Sequence, residues 1–208
     1  PEGWDTGLPV YPADPKGLAT RTASGEALAA LVPAVPALIG GSADLTPSNN
    51  TRVAGMVDLQ PGSPGGRYLR FGVREHAMAA VANGIAVHGG LRPYIATFFV
   101  FSDYLRPALR LAALMGLPVI YVFTHDSVGL GEDGPTHQAV EHLAALRAIP
   151  GVIDLRPADA NETMEAWKVA LRSQDAPVAL ILTRQRVPTI DRERYAPAGG
   201  VARGGYVL

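Results

Sequence analysis

The chain has 208 residues, of which 48% are hydrophobic and 18% are charged, so it is long and apolar enough to bury the core of one globular domain. The formal net charge of -1, the sequence pI of about 6.6 and the lack of any Lys/Arg run exclude the electrostatic footprint of a protein that binds nucleic acid or an anionic membrane. No cysteine is present, which excludes disulfides, thiolate metal sites and cysteine nucleophiles and makes a cytoplasmic setting the expectation.

The amino-terminal residues, PEGWDTGLPVYPADPKG, have neither a basic start nor an apolar run, so they resemble no signal or transit peptide. The longest apolar stretch, LAALMGLPVIYVF at 111–123, is interrupted by Gly and Pro and is shorter than the roughly 20 residues that cross a bilayer. We therefore expect no membrane insertion.

Helical and strand-like patterns alternate along the chain. The first helix begins near Ala23, with Thr22 or Ser24 as its candidate N-cap. Short apolar runs that end at Gly, Pro or Asp predict buried parallel strands, and they cover residues 37–41, 68–71, 94–98, 119–123, 152–155 and 178–182. Further helices are predicted at 76–88, 101–115, 136–148 and 161–173, the last with Asp159 or Asn161 as its cap.

This alternation predicts the fold class and the position of the site. Strands joined by right-handed helical crossovers form an α/β fold of three layers, with a mostly parallel sheet of about six strands covered by helices on both faces. Ligands of such sheets bind beyond the carboxyl ends of the strands. The most informative segments follow predicted strands: GGSADLTPSNN the first, GVREH the second, TFFVF the third and THDSVGLGEDGPTH the fourth.

The loop after the fourth strand is unusually rich in titratable and flexible residues. It carries His125, Asp126, Glu132, Asp133 and His137 among several glycines. Such a loop suits a polar binding site, because its backbone can approach a ligand closely. A solvated loop without function is equally compatible with the spacing, and a metal site is disfavoured because no HExxH or other fixed ligand spacing is present.

Long segments of the chain resemble those of transketolases. They are ATRTAS, GGSADLTPSN, RYLRFGVREHAMAAVANGIAVHGG, TFFVFSDYLRPALR and THDSVGLGEDGPTHQ, and together they cover nearly the whole chain. The resemblance implies the pyrimidine-binding domain of the thiamine diphosphate-binding fold. Transketolases move a two-carbon ketol unit from a ketose phosphate to an aldose phosphate.

The resemblance implies two catalytic residues, Glu75 and His137. Taken alone, Glu75 is an acid in the first turn of a helix, where the helix dipole favours it. The family pattern instead implies that Glu75 hydrogen-bonds N1′ of the cofactor pyrimidine and takes part in the proton relay that activates the cofactor. His137 matches a histidine near the transferring carbon that assists proton transfer.

Phe98, Phe101 and Tyr104 fall at i, i+3 and i+6, a spacing that predicts one face of a helix if the helix begins as early as Phe98 and, taken alone, predicts core packing. The resemblance implies that these aromatic rings surround the aminopyrimidine of the cofactor. Asp44 matches an aspartate close to the thiazolium region. A structural role, in which Asp44 caps the SADLTPSNN turn, stays open.

The family pattern also implies substrate-binding residues. Phosphate contacts match Arg21, Ser48, His125 and Arg184, whose guanidinium, hydroxyl and imidazole groups suit phosphate oxygens. Asp133 matches an aspartate that recognises a sugar hydroxyl. These matches predict sugar-phosphate substrates such as xylulose 5-phosphate and ribose 5-phosphate.

The chain lacks the GDG sequence, followed by Asn, through which transketolases bind the diphosphate and a divalent Mg²⁺ or Ca²⁺ ion. No metal ligand is therefore assigned here. We expect a fragment in which 1–16 is a linker from a missing amino-terminal domain and 17–194 is the pyrimidine-binding domain. Residues 195–208 are expected to be a linker and the start of a further domain, because ARGGYVL reads as a new strand.

Because the family's site forms between the subunits of a homodimer, we expect the fragment alone to be inactive. Two alternatives to a transketolase stay open. A dihydroxyacetone synthase shares the motifs and uses another acceptor, although retention of the phosphate-binding residues argues weakly against it. A non-catalytic regulatory or assembly module could also keep the fold, but the retained polar residues argue against it.

Overall fold

The computed structural model describes all residues from Pro1 to Leu208, and its eight strands form two sheets. The strands are β1 (Asp14–Leu18), β2 (Leu38–Ser42), β3 (Tyr68–Arg70), β4 (Arg92–Phe98), β5 (Ile120–Thr124), β6 (Ile153–Leu155), β7 (Val178–Ile181) and β8 (Val187–Thr189). Six of them form one parallel sheet in the order β3-β2-β4-β5-β7-β6. The predicted strands are confirmed, with ends that differ by two residues at most.

Helices fill the connections between the strands. They are α1 (Thr20–Ala34), α2 (Thr46–Asn49), α3 (Glu75–His88), α4 (Ser102–Leu114), α5 (His142–Arg147) and α6 (Ala160–Arg172). None of them combines the length and the hydrophobicity that a bilayer crossing requires.

The helices cover both faces of the sheet, which confirms the three-layer prediction. Successive residues of a strand point to opposite faces. In β4, Tyr94 and Ala96 pack with α1 and α6, whereas Ile95 packs with α3 and α4. Each face therefore has its own hydrophobic core.

The first helix begins earlier than predicted, and neither Thr22 nor Ser24 caps it. Helix α1 begins at Thr20, and its cap position is Ala19, which has no capping side chain. The free N–H groups of the first turn are bound instead by Thr183, two residues after β7: Thr20 N donates to Thr183 Oγ1 at 3.0 Å and Arg21 N to Thr183 O at 3.3 Å. In return, Thr183 N donates to Thr20 Oγ1 at 2.7 Å. A tertiary contact has replaced the local cap.

Two predicted helices are shorter than expected. The prediction of one helical face for Phe98, Phe101 and Tyr104 is wrong, because Phe98 ends β4, Phe101 lies in a 3-10 turn and only Tyr104 lies in α4. The helix predicted at 136–148 is reduced to α5, preceded by a 3-10 turn at Pro135–His137. Proline at the start of that turn and glycines before it favour tight turns over a regular helix.

The two terminal segments also differ from expectation. A two-stranded antiparallel sheet of β1 and β8, absent from the prediction, begins inside the segment expected to be a linker. The strand predicted in ARGGYVL is wrong: this segment forms the end of a 3-10 turn and continues without regular structure. Tyr206 in this tail donates a hydrogen bond to Glu162 of α6, so a side-chain contact holds the segment in place of strand pairing.

Trp167 anchors the core between α1, α6 and the sheet. It is fully buried, its indole N–H donates to Ser24 Oγ at 2.9 Å, and its ring meets Tyr94 edge-on at 6.4 Å.

We expect Trp167→Ala to lower the free energy of unfolding by about 3–5 kcal/mol, because it leaves a cavity in a close-packed core. Urea denaturation followed by circular dichroism measures this loss, and a loss below about 1 kcal/mol contradicts the assigned role. Val10→Ala, at an exposed position, is the control and should change stability by less than about 0.5 kcal/mol.

Candidate active site

The segments that follow the parallel strands meet along one edge of the sheet, as expected for this topology. Glu75 follows β3, Ser48 follows β2, Phe98 ends β4, His125 follows β5 and Arg184 follows β7. The contact between Thr20 and Thr183 brings the first turn of α1, with Arg21, to the same edge.

A cavity of about 360 Å³ opens at this edge, and we call it the strand-end pocket. It is lined by Arg21, Ser48, Phe98, His125, Asp133, His137 and Arg184. All seven residues had been selected from the sequence, and they come from five separate segments of the chain. Glu75, Asp44, Phe101 and Tyr104 lie outside its lining.

Two guanidinium groups give the strand-end pocket its positive charge. Arg21 Nη1 donates to the carbonyl of Ser48 at 2.9 Å, and its buried Nε has no hydrogen-bond partner in the chain. Arg184 Nη1 donates to the carbonyl of Leu130 at 3.0 Å. Burial, followed by repulsion from Arg184, lowers the pKa of Arg21. Two cations held close together, one with an unused donor, suit a dianionic ligand.

A chain of buried hydrogen bonds orients His125. Ser42 Oγ donates to Asn49 Oδ1 at 2.6 Å, and Asn49 Nδ2 donates to Thr124 Oγ1 at 2.7 Å. Thr124 Oγ1 lies 2.9 Å from His125 Nδ1, so its single proton is free to point at that nitrogen. His125 Nδ1 then acts as an acceptor, and Nε2 carries the proton. The chain therefore selects the tautomer that turns an N–H towards the pocket.

The environment of His125 favours its neutral form. The ring is buried and stacks on Phe98, with the ring centroids 3.7 Å apart. The backbone of His125 has a left-handed conformation, with φ 59. Burial, followed by the charge of Arg21, lowers the pKa of His125 to about 4, although Asp133 acts in the opposite direction. Asp133 Oδ2 lies 3.7 Å from His125 Nε2. At neutral pH His125 is therefore a hydrogen-bond donor without charge.

The acidic residues of the loop after β5 have different roles. Asp126 is buried and accepts hydrogen bonds from Arg156 at 2.6 and 3.0 Å, so it anchors the loop to the segment after β6. Asp133 faces the pocket, and Glu132 pairs with Arg184. The sequence pattern did not distinguish the anchoring aspartate from the pocket residue.

Glu75 lies at the first position of α3, is buried, and has no hydrogen-bond partner for its carboxylate in the chain. The turn before it uses Gly72 at φ +68, a conformation that favours glycine, and Arg74 donates to Phe71 O at 3.1 Å. Most of the side chain is covered, but its carboxylate oxygens stay accessible and are free to accept a hydrogen bond from a ligand.

Three aromatic rings lead outward from the strand-end pocket. Phe98 is buried and stacks on Phe101 at 5.9 Å, and Phe101 lies 6.0 Å from Tyr104, whose side chain is 63% exposed. His137 lies 5.9 Å from Phe98 and 5.4 Å from Phe101. The rings therefore form a continuous aromatic surface with His137 beside it, whereas a core stripe would be buried throughout.

Asp44 does not cap the turn that contains it. Its backbone has φ 61, its side chain is exposed, and it makes no hydrogen bond in the chain. Ser42 Oγ accepts from Leu45 N at 3.2 Å and so caps this turn instead. A strained, unpaired aspartate beside a strand end is typical of functional positions.

One group of possible metal ligands lies away from the strand-end pocket. Asp103, Glu141 and His142 offer atoms within 4.8 Å of one another, but two of them already form a hydrogen bond of 3.2 Å, between His142 and Asp103. We assign no metal to this group.

Asn49 and Thr124 are the site residues that sequence reasoning missed. Asn49 lies in SADLTPSNN, and Thr124 is the first residue of THDSVGLGEDGPTH. Neither residue lines the pocket, and the two are far apart in sequence. Only the fold shows that they orient His125.

Comparison with known proteins identifies relatives over the whole chain. The family described as "Transketolase, pyrimidine binding domain" matches residues 16–189. Transketolases of Geobacillus stearothermophilus and Bacillus subtilis are 59% and 55% identical over 208 residues. The chain spans 31% of the length of each of these relatives.

Solved structures agree with this similarity. The transketolase of Pichia stipitis in complex with sedoheptulose-7-phosphate superposes with a TM-score of 0.93 at 49% identity, covering 99% of this chain and 31% of that chain. A split-gene transketolase described as an inactive beta4 tetramer gives a TM-score of 0.66 at 32% identity, covering 84% of this chain and 54% of that chain.

The environment of His125 predicts its titration. In the 208-residue chain we expect the imidazole of His125 to titrate near pH 4, with Nε2 protonated above that pH. An unfolded histidine titrates near 6.5, so the unfolded state takes up a proton between pH 6.5 and 4 that the folded state does not. Stability should therefore fall as the pH is lowered through this window. Nitrogen-15 NMR of the imidazole measures both the midpoint and the tautomer, and a midpoint above pH 6 contradicts the assignment.

Thr124→Val and Thr97→Val form a matched pair for the same measurement. Thr124→Val removes the hydroxyl that faces His125 Nδ1 and should abolish the tautomer preference. Thr97 is also fully buried, but its hydroxyl has no partner, so Thr97→Val should leave the His125 spectrum unchanged. Equal spectra for the two variants would show that Thr124 does not select the tautomer.

Proposed function

The chain belongs to the transketolase family, and from this premise we propose that it is the pyrimidine-binding part of an enzyme that transfers a two-carbon ketol group from a ketose phosphate to an aldose phosphate. The convergence of residues from five segments on one cationic pocket is the observation that supports this function best. The relatives compared with it are named transketolase, which favours this function over a dihydroxyacetone synthase or a non-catalytic module.

The strand-end pocket is proposed to bind the phosphate of the sugar. Arg21 and Arg184 supply two guanidinium groups, Ser48 a hydroxyl, and neutral His125 an N–H through Nε2. Hydrogen bonds of this kind to a dianion are charge-assisted and directional. The Nε–H group of Arg21 is buried and has no hydrogen-bond acceptor within the chain.

The proposed path of the sugar runs from this pocket along the aromatic rings. Asp133 lies at the pocket wall, where its carboxylate is free to accept a hydrogen bond from a sugar hydroxyl. His137 lies between the pocket and Phe101, 5.4 Å from that ring, so it is suited to proton transfer near the reacting carbon. Asp44 is proposed to face the cofactor, because it is unpaired within the chain.

The residues outside the strand-end pocket fit one half of thiamine diphosphate. The carboxyl group of Glu75 is proposed to hold a proton at N1′ of the aminopyrimidine. Tyr104 is exposed and Phe101 partly exposed, so their rings are available for stacking with a flat heterocycle. When bound, thiamine diphosphate supplies the nucleophilic carbon that accepts the ketol group.

The remaining parts of the site are proposed to lie outside this chain. The family depends on thiamine diphosphate and a divalent metal, and the chain has no GDG motif for the diphosphate. We propose that Mg²⁺ or Ca²⁺ and the diphosphate bind another domain, that the complete enzyme is a cytoplasmic homodimer, and that this segment alone is inactive. The name of the split-gene relative, an inactive tetramer, supports the last point.

The complete enzyme should transfer a ketol group from xylulose 5-phosphate to ribose 5-phosphate when thiamine diphosphate and a divalent cation are supplied. A coupled assay of the glyceraldehyde 3-phosphate released measures the reaction. The 208-residue chain, tested in parallel, should show no turnover. Absence of transfer by the complete enzyme with cofactor demonstrably bound would refute the proposed function.

Glu75→Gln in the complete enzyme should lower kcat by about 10²- to 10⁴-fold, because an amide cannot exchange the proton at N1′. Circular dichroism should show an unchanged fold. Glu165→Gln is the matched control, since Glu165 forms a part-buried pair with Lys168 within α6, outside the strand-end pocket, and the change should leave kcat unchanged. Turnover of Glu75→Gln within a factor of two of the wild type would remove Glu75 from the relay.

A further inference from the structure

Arg184 is the cation of the strand-end pocket that already holds a carboxylate. Its Nη2 donates to Oε1 of Glu132, and its Nη1 lies 3.5 Å from Oε2 of the same side chain. The carboxylate of Glu132 therefore contacts both terminal nitrogens of the guanidinium, the same two-point geometry with which a phosphate group binds arginine. Arg21, in contrast, donates only to the neutral carbonyl of Ser48.

Glu132 is not required to hold Arg184 in place. Arg184 Nη1 donates separately to the carbonyl of Leu130 at 3.0 Å, a contact in which the carboxylate takes no part. The Glu132 side chain is 75% exposed, and apart from its own backbone N–H only Arg184 lowers its pKa. An ion pair with so exposed a partner contributes little to stability and opens readily.

The backbone around Glu132 permits this opening. Glu132 and Asp133 are flanked by Gly131 at φ +90 and Gly134 at φ +81, conformations that other residues rarely adopt. The two adjacent carboxylates point to different partners, Glu132 to the guanidinium of Arg184 and Asp133 towards the neutral imidazole of His125. Release of Glu132 from Arg184 therefore breaks no hydrogen bond of Asp133.

We propose that Glu132 is a displaceable carboxylate that competes with the substrate phosphate for Arg184 and thereby weakens the binding of phosphorylated sugars. The inference rests on the proposed function, in which Arg184 binds that phosphate. A phosphate monoester carries about −1.5 to −2 charges near neutral pH, so it displaces a single carboxylate. A neutral hydroxyl does not, and the guanidinium then stays neutralised. Built-in competition of this kind lowers the affinity for phosphorylated sugars, because binding first breaks an existing ion pair.

Isothermal titration calorimetry of the complete enzyme with ribose 5-phosphate and with ribose tests the proposal without turnover. Glu132→Gln should tighten the binding of ribose 5-phosphate by about three- to tenfold and leave ribose within a factor of two. Arg184→Gln should weaken the binding of ribose 5-phosphate. The double variant should bind like Arg184→Gln alone, because the gain requires the guanidinium.

Control variants and outcomes separate this inference from the proposed function. Glu193→Gln removes the same charge at an exposed position whose side chain makes no hydrogen bond, and it should leave both affinities unchanged. Three outcomes overturn the role of Glu132 alone: Glu132→Gln binds ribose 5-phosphate no more tightly than the wild type, ribose gains as much affinity as ribose 5-phosphate, or the gain survives Arg184→Gln. A wild-type enzyme that does not distinguish ribose 5-phosphate from ribose refutes the phosphate pocket, and this inference with it.

Discussion

All six strands of the main sheet run in the same direction, and this constraint decides where the functional side chains lie. Parallel strands bring their carboxyl ends to one edge, so loops that are far apart in sequence become neighbours there. The reciprocal hydrogen bonds between Thr20 and Thr183 then add the first turn of α1 to that edge. Without this contact, Arg21 and Arg184 would not line the same pocket.

The charges at this edge are arranged around an anion. Arg21 and Arg184 are oriented by the carbonyl groups of Ser48 and Leu130, and only Arg184 is also paired with a carboxylate, that of Glu132. His125 is kept neutral by burial and by the nearby cations, so it can donate a hydrogen bond without adding charge. The pocket thus combines strong attraction for a dianion with fixed donor directions, which is the combination that phosphate recognition requires.

A second region, next to the strand-end pocket, has unsatisfied groups of another kind. Glu75 is buried without a partner, and Tyr104 exposes most of its ring. Polar and aromatic groups left in this state are accessible to a ligand, as the proposed cofactor site requires. The chain covers 31% of the length of its relatives.

The sequence by itself determined the strands, the layers and the motif residues. Apolar runs ended by Gly, Pro or Asp located β4 and β5 correctly, because burial on both faces of a sheet demands such runs. It did not show that Thr183 caps α1, that Asn49 and Thr124 orient His125, or that Glu132 occupies Arg184. The contacts of Thr20 with Thr183, Asn49 with Thr124 and Glu132 with Arg184 join residues 52 or more positions apart, and hydrogen bonds over such distances leave no local pattern. Thr124 and His125 are adjacent in sequence, but the direction of the Thr124 proton depends on the distant Asn49. Only the tertiary structure, which sets those distances, decided them.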